Sequence, residues 1–168
     1  MGKDIHMKLL EYSPEENTYK ELALYRKNKN NEFKKIRIFD GRNSNMFDTM
    51  AGNDFCYDDD SFPCTSIALS SLEPELRKEI EKEMEDPGCF DFKEICLYDM
   101  KIYIDKYPEI KDWDKAFDCE DIASIPMKKN PLKQLFEDIL TYLYFIDASY
   151  RWGYTPLSYY KIIYFFDC

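Results

Sequence analysis

Histidine is nearly absent from this chain: His6 is the single one among 168 residues. Any Ser-His-Asp or Cys-His nucleophile system would have to use it, and no G-x-S-x-G or comparable cysteine context accompanies it. Glycine is scarce as well. The five glycines are dispersed, with neither a G-x-x-x-x-G-K-[ST] nor a G-x-G-x-x-G run to cradle phosphates. The six cysteines (Cys56, Cys64, Cys89, Cys96, Cys119 and Cys168) contain no C-x-x-C pair, which argues against structural zinc. They read as free thiols filling small apolar gaps. No apolar run approaches the ~20 residues that span a bilayer, and no basic stretch followed by an apolar one opens the sequence. The expectation is an intracellular protein with no membrane partner. Basic residues are the minority, 23 against 33 acidic ones, for a net charge of −10. That field repels phosphate backbones and argues against direct nucleic-acid binding. It fits solubility, or a partner with a basic surface.

What is abundant is aromatic: 14 Tyr and 12 Phe in a chain that is 45% apolar. A globular fold follows, and the length suits one domain over residues 1–168. Ile5, Met7 and Leu9 alternate with His6 and Lys8, predicting a half-buried strand over Asp4–Tyr12. Tyr19–Tyr25 and Phe33–Phe39 are further strand candidates, read with the first as an antiparallel meander closed at Asp40-Gly41. Met46, Phe47 and Met50 recur at helical spacing up to Gly52. A second helix is expected from Pro74 to Met84. Asp91 with Glu94 resembles a capping box and predicts a helix running to Tyr107, while Ile102 and Ile104 also allow a strand. Residues 109–130 read as a long loop. Pro131–Arg151 carries a continuous apolar stripe and is the main core helix. Tyr159–Phe166 is apolar on both faces, as a strand inside a sheet must be. The sum is an α+β fold: a mainly antiparallel sheet, N-terminal meander plus C-terminal strand, with helices packed on one side.

At three places, in order, the chain resembles an uncharacterised family of small phage and prophage proteins. These open with MGCDIH, carry an RN..LFA.LAG segment after two or three strands, and close on a strand ending VFWFDN. The matching residues are Gly2, Asp4, Ile5 and His6; then Arg42, Asn43, Phe47, Ala51 and Gly52; and Ile163, Phe165, Phe166 and Asp167. Lys3 and Cys168 depart from the pattern, and residues 53–130 have no counterpart in it. The resemblance implies a phage or mobile-element origin, and with it an accessory role against host immunity in the bacterial cytoplasm.

Two sets of residues are candidates for chemistry. Asp4 and His6 share a strand face, and the resemblance adds Arg42, Asn43 and Asp167. If the first and last strands are neighbours, Asp4, His6 and Asp167 converge, as a ligand or metal site or as a structural polar corner. The second set is the acidic, aromatic stretch Phe55, Tyr57, Asp58, Asp59, Asp60 and Phe62, which could engage an Arg/Lys-lined groove. It lacks the alternate ligand spacing and Gly of a calcium loop. No catalytic residue is assigned and no cofactor expected. Three functions follow in order: an anti-CRISPR-like inhibitor that binds a basic host defence protein; a protein that sequesters or hydrolyses a nucleotide immune signal; and a metal-dependent enzyme using Asp4 and His6.

Overall fold

The structure, a computed structural model, describes residues 4–36, 38–42, 44–51 and 62–168. The first half of the chain builds β1 (Asp4–Ser13), β2 (Thr18–Glu21), β3 (Leu24–Lys27), β4 (Phe33–Ile36), β5 (Asp40–Arg42) and α1 (Ser44–Met50). Next come β6 (Thr65–Ser66), α2 (Pro74–Met84), β7 (Cys89–Cys96), α3 (Leu97–Lys106) and β8 (Glu109–Lys111). The chain continues through β9 (Met127–Lys129), α4 (Pro131–Ile146), α5 (Ala148–Arg151) and β10 (Tyr160–Asp167). The fold is α+β around a mainly antiparallel sheet.

The main sheet runs β2-β1-β10-β7-β6, with β5 also paired to β1. β10 is central, and its residues from Tyr160 to Phe166 are all buried. It lies antiparallel to β1 in a register that sets Asp4 opposite Asp167 and Glu11 opposite Tyr160. Alternation then sorts the side chains by face. Ile5, Met7 and Leu9 join Ile162, Tyr164 and Phe166 against residues of α1, α3 and α4. Leu10 and Ile163 point the other way, onto Leu76 and Ile80 of α2. Three helices thus cover one face, as expected, and α2 packs on the opposite one.

Five local expectations are corrected. The second predicted strand stops after Glu21: the Leu22 N–H makes one more bond to the Leu9 carbonyl (2.8 Å), and Leu22 then turns into the core. β3 and β4 leave the sheet as a separate two-stranded ribbon, and β5 returns to pair with Asp4–His6. The meander is therefore interrupted. The helix predicted from Asp91 is strand as far as Cys96, because pairing with β10 overrides the local capping pattern. Asp91 sits at φ 53° where the register shifts, taking the left-handed conformation that a bulge uses and an Asp tolerates. Residues 109–130 contain the β8–β9 ribbon rather than loop alone. Finally, α4 ends at Ile146, since the Asp147 carboxylate accepts the Ser149 and Tyr150 N–H groups (3.0 and 3.4 Å) and starts α5.

At the other end of α4, Pro131 occupies the first turn and Asn130 is the N-cap, accepting from the Leu132 N–H at 3.0 Å. The same buried amide donates to the Tyr107 carbonyl, also at 3.0 Å, tying the helix to the end of α3. No helix among the described residues is long and apolar enough to cross a membrane.

Candidate functional site

The β1–β10 register brings the two ends of the described chain together. His6 lies opposite Phe165 and reaches diagonally to Asp167, with Nε2 2.8 Å from Oδ2. A carboxylate only accepts, so Nε2 carries the proton. The imidazole also stacks on Phe165 (centroids 5.0 Å apart), and Phe165 stacks on Phe92 at 4.8 Å. Asp4 is on the same face but is engaged elsewhere: the Arg42 Nε donates to its Oδ1 at 2.6 Å across the β1–β5 pairing. The expected convergence therefore resolves into two adjacent pairs, His6–Asp167 and Asp4–Arg42. Among the described residues, no group of three or more His, Cys, Asp or Glu side chains is arranged to hold a metal ion. Asn43 lies outside the described residues, as do Phe55, Tyr57, Asp58, Asp59 and Asp60. Phe62 is described and is not a surface anchor. It is 4% exposed, edge-on to Tyr103 at 5.2 Å, in the core beneath α3.

His6 and Asp167 open onto a cavity of about 500 Å³, within the size range of small-ligand sites. It lies over the face of the sheet that α2 covers, where β1 runs on between its pairings with β5 and β2. Ile163, Phe165 and Ile80 supply apolar lining, as do Leu22, Ile36 and Ile38. Toward one end Lys8 lies 3.5 Å from both Glu21 and Glu79, and Lys35 also pairs with Glu21. Toward the other stand Asp86, Cys89 and Asp167. Burial pushes the Cys89 thiol up, and the charges of Asp86, Glu83 and Asp167 push it further. A thiol held protonated is a poor nucleophile. No serine or threonine is among the described residues that line the cavity.

Two polar clusters lie outside the residues that sequence reasoning singled out. Lys161 is buried within the central strand, its ammonium 2.8 Å from Glu94, 3.1 Å from the Ser71 hydroxyl and 4.0 Å above the Tyr19 ring. A lone charge inside the apolar run YKIIYFF was the available signal. On the other face the Tyr160 hydroxyl donates to Asp147 at 2.5 Å and lies 3.5 Å from Glu11. Burial, together with the hydrogen bond and charge of Asp147, raises Glu11 to about 7. Burial opposes charge on Asp147, but bonds from Tyr160, Glu11 and the Tyr150 and Ser149 N–H groups outweigh it and hold that carboxyl low. The shared proton therefore resides on Glu11. These residues are far apart in sequence, so no spacing announces them.

A third feature is aromatic and exposed. Phe145, Trp152 and Tyr154 at the end of α4 and beyond α5 are 72%, 71% and 82% exposed. Tyr144 meets Phe145 edge-on at 5.9 Å, and the Arg151 guanidinium sits 5.8 Å over the Tyr144 ring while donating to its carbonyl at 3.0 Å. Comparison with protein-family models, with curated proteins and with solved structures gives no match.

Proposed function

We propose that this chain is a phage- or prophage-encoded accessory protein that inhibits a bacterial defence system by binding one of its proteins, in the manner of an anti-CRISPR protein in the host cytoplasm. The observation that carries the reading is the run of exposed aromatic residues Tyr144, Phe145, Trp152 and Tyr154 at the end of α4 and just past α5, with Arg151 over the Tyr144 ring. Trp, Tyr and Arg are the residues that concentrate binding energy at protein interfaces, and leaving several large rings in water is costly without a partner. The net charge of −10 selects a basic partner surface and speeds its encounter. Phe55, Tyr57, Asp58, Asp59 and Asp60 belong to the same proposal as a second contact, without Phe62.

Sequestration or hydrolysis of a nucleotide draws less support. A phosphate at the cavity would have to displace carboxylates from Lys8, Lys35 and Arg42, with Lys34 the further lysine in the described lining.

The test is phage plating on a host that carries a nucleic-acid-guided nuclease defence and expresses this protein. The wild-type chain should restore plating, and Phe145→Ala with Trp152→Ala should abolish the effect while circular dichroism stays unchanged. Equal plating with and without the wild-type chain across such defences would remove the reading.

A further inference from the structure

We propose that the β3–β4 ribbon binds single-stranded nucleic acid, stacking bases on Tyr25 and Phe33 and meeting phosphates with Arg26, Lys27, Lys29 and Lys34. The inference stands on the ribbon and is independent of the exposed aromatic residues at the end of α4.

Charge is the first argument. The net charge of −10 disfavours a phosphate backbone over the molecule as a whole, but the ribbon reverses that sign locally. Residues 25–36 hold five cations (Arg26, Lys27, Lys29, Lys34 and Lys35) against a single carboxylate, Glu32. Lys35 is taken up by Glu21. Arg26, Lys29 and Lys34 are exposed and make no ion pair with any described residue. The register sets Arg26 directly opposite Lys34, a like-charge pair that works against the ribbon until an anion joins it.

Geometry is the second argument. Residues directly opposite share a face, so Tyr25, Lys27, Phe33 and Lys35 project from the same side of the ribbon. Tyr25 is 59% exposed and Phe33 70%, and they are diagonal neighbours, a spacing of about 7–8 Å. That is wider than the ~3.4 Å step of a stacked duplex strand and suits unstacked bases, one to each ring. A duplex hides the faces of its bases, so two exposed rings select a single strand. Lys27 lies 6.0 Å from the Phe33 centroid on this side, within reach of a phosphate joining two such bases. Strands in the ribbon are only about 5 Å apart, so the long Arg26 and Lys34 side chains of the other face flank the same track. The turn is set in advance: the Asn28 side chain accepts from the Asn30 and Glu32 N–H groups, each at 2.9 Å.

The test is fluorescence anisotropy of labelled oligo(U) and oligo(dT), about ten nucleotides long, titrated with the full chain at low salt. A duplex of the same length and polyglutamate are the controls. Binding of oligo(U), oligo(dT) or both sustains the surface and names the nucleic acid. Log affinity should fall against log salt with a slope of about −2 to −3, the counterion release of three or four phosphate contacts. Tyr25→Leu and Phe33→Leu keep apolar bulk at exposed positions and should each weaken binding about tenfold, the loss of one base–ring stack. Lys34→Gln should make the slope shallower by about 0.7. Four results would overturn the proposal: no binding of either strand, equal binding of the duplex, an unchanged slope in Lys34→Gln, or unchanged affinity in both leucine variants with circular dichroism unaltered. Displacement by polyglutamate at matched charge would overturn it too, and would make the ribbon a site for an acidic protein.

Discussion

Glu11 and Asp147 show what one shared proton does to the pH response of a fold. Glu11 binds its proton up to about 7 in the folded protein, against 4.5 for an ordinary glutamate. Between those values the folded state holds more protons than the unfolded one, so stability falls as pH rises through this window and levels off above it. Asp147, held low, contributes in the opposite sense, with stability lost only as pH falls below the usual aspartate value. Glu11→Gln keeps a donor for Asp147 without the charge. It should flatten the slope between about pH 5 and 7 and stabilise the protein at pH 8 by about 1 kcal/mol, a figure reduced because solvent screens this partly exposed group. Urea melts at several pH values measure both; an unchanged slope would contradict the shared proton. Lys161 poses a different residue problem, because its ammonium is buried with Glu94. Lys161→Met leaves that carboxylate without its cation and should cost about 3 kcal/mol, most of it recovered when Glu94→Gln is added. Additive losses in the double variant would show that the two groups do not act as a pair.

Elements differ in how far local sequence decides them. β1, α2 and α4 were legible because their apolar periods match their geometry, alternation in Ile5-Met7-Leu9 and a three-four spacing from Leu132 to Leu143, and β10 because it is apolar on both faces. β7 was not. Asp91 and Glu94 are spaced like a helix start, and only the cross-strand partners Ile162, Ile163 and Phe166 make the segment extended. The break between β2 and β3 comes just after the last rung to β1, the bond from the Leu22 N–H to the Leu9 carbonyl. The polar corner was half legible. The strands that carry Asp4, His6 and Asp167 were foreseeable as neighbours, but the division into Asp4–Arg42 and His6–Asp167 follows from β5 returning to β1. The bulge provides an element-scale prediction. Asp91→Gly removes a side chain from a left-handed residue and should be neutral or slightly stabilising, whereas Asp91→Val forces a β-branched residue into that conformation. The valine variant should lose about 1–2 kcal/mol in a urea melt. Equal stability of the two would mean that the backbone can pair with β10 without the bulge.

At the scale of the whole molecule the sheet separates two different surroundings for charge. One face is sealed by α1, α3 and α4 around apolar side chains, while the α2 face carries Lys8, Lys161 and Glu94 beside the open cavity. Local pairing neutralises much of this second face: Lys8 with Glu21 and Glu79, Lys35 with Glu21, and Lys161 with Glu94. It cannot neutralise the molecule, because acidic residues exceed basic ones by ten. Salt therefore acts in two opposing ways. It weakens exposed ion pairs such as Lys20–Glu16 and Arg77–Glu81, each worth a few tenths of a kcal/mol. It also screens the mutual repulsion of the excess carboxylates, which is long-ranged and favours expansion of the chain. The buried Lys161–Glu94 pair is screened least, so the repulsive term should dominate the balance. Raising sodium chloride from about 0.02 M to about 0.3 M shortens the screening length from roughly 20 Å to under 10 Å. The midpoint of thermal unfolding at pH 8 should then rise by about 3 °C, the equivalent of about 1 kcal/mol in a domain of this size. Lowering the pH toward 5 should shrink that salt effect as the carboxylates begin to lose their charge. A midpoint that falls with salt at pH 8 would mean that ion pairs, rather than the excess of acid, set the electrostatic stability of this fold.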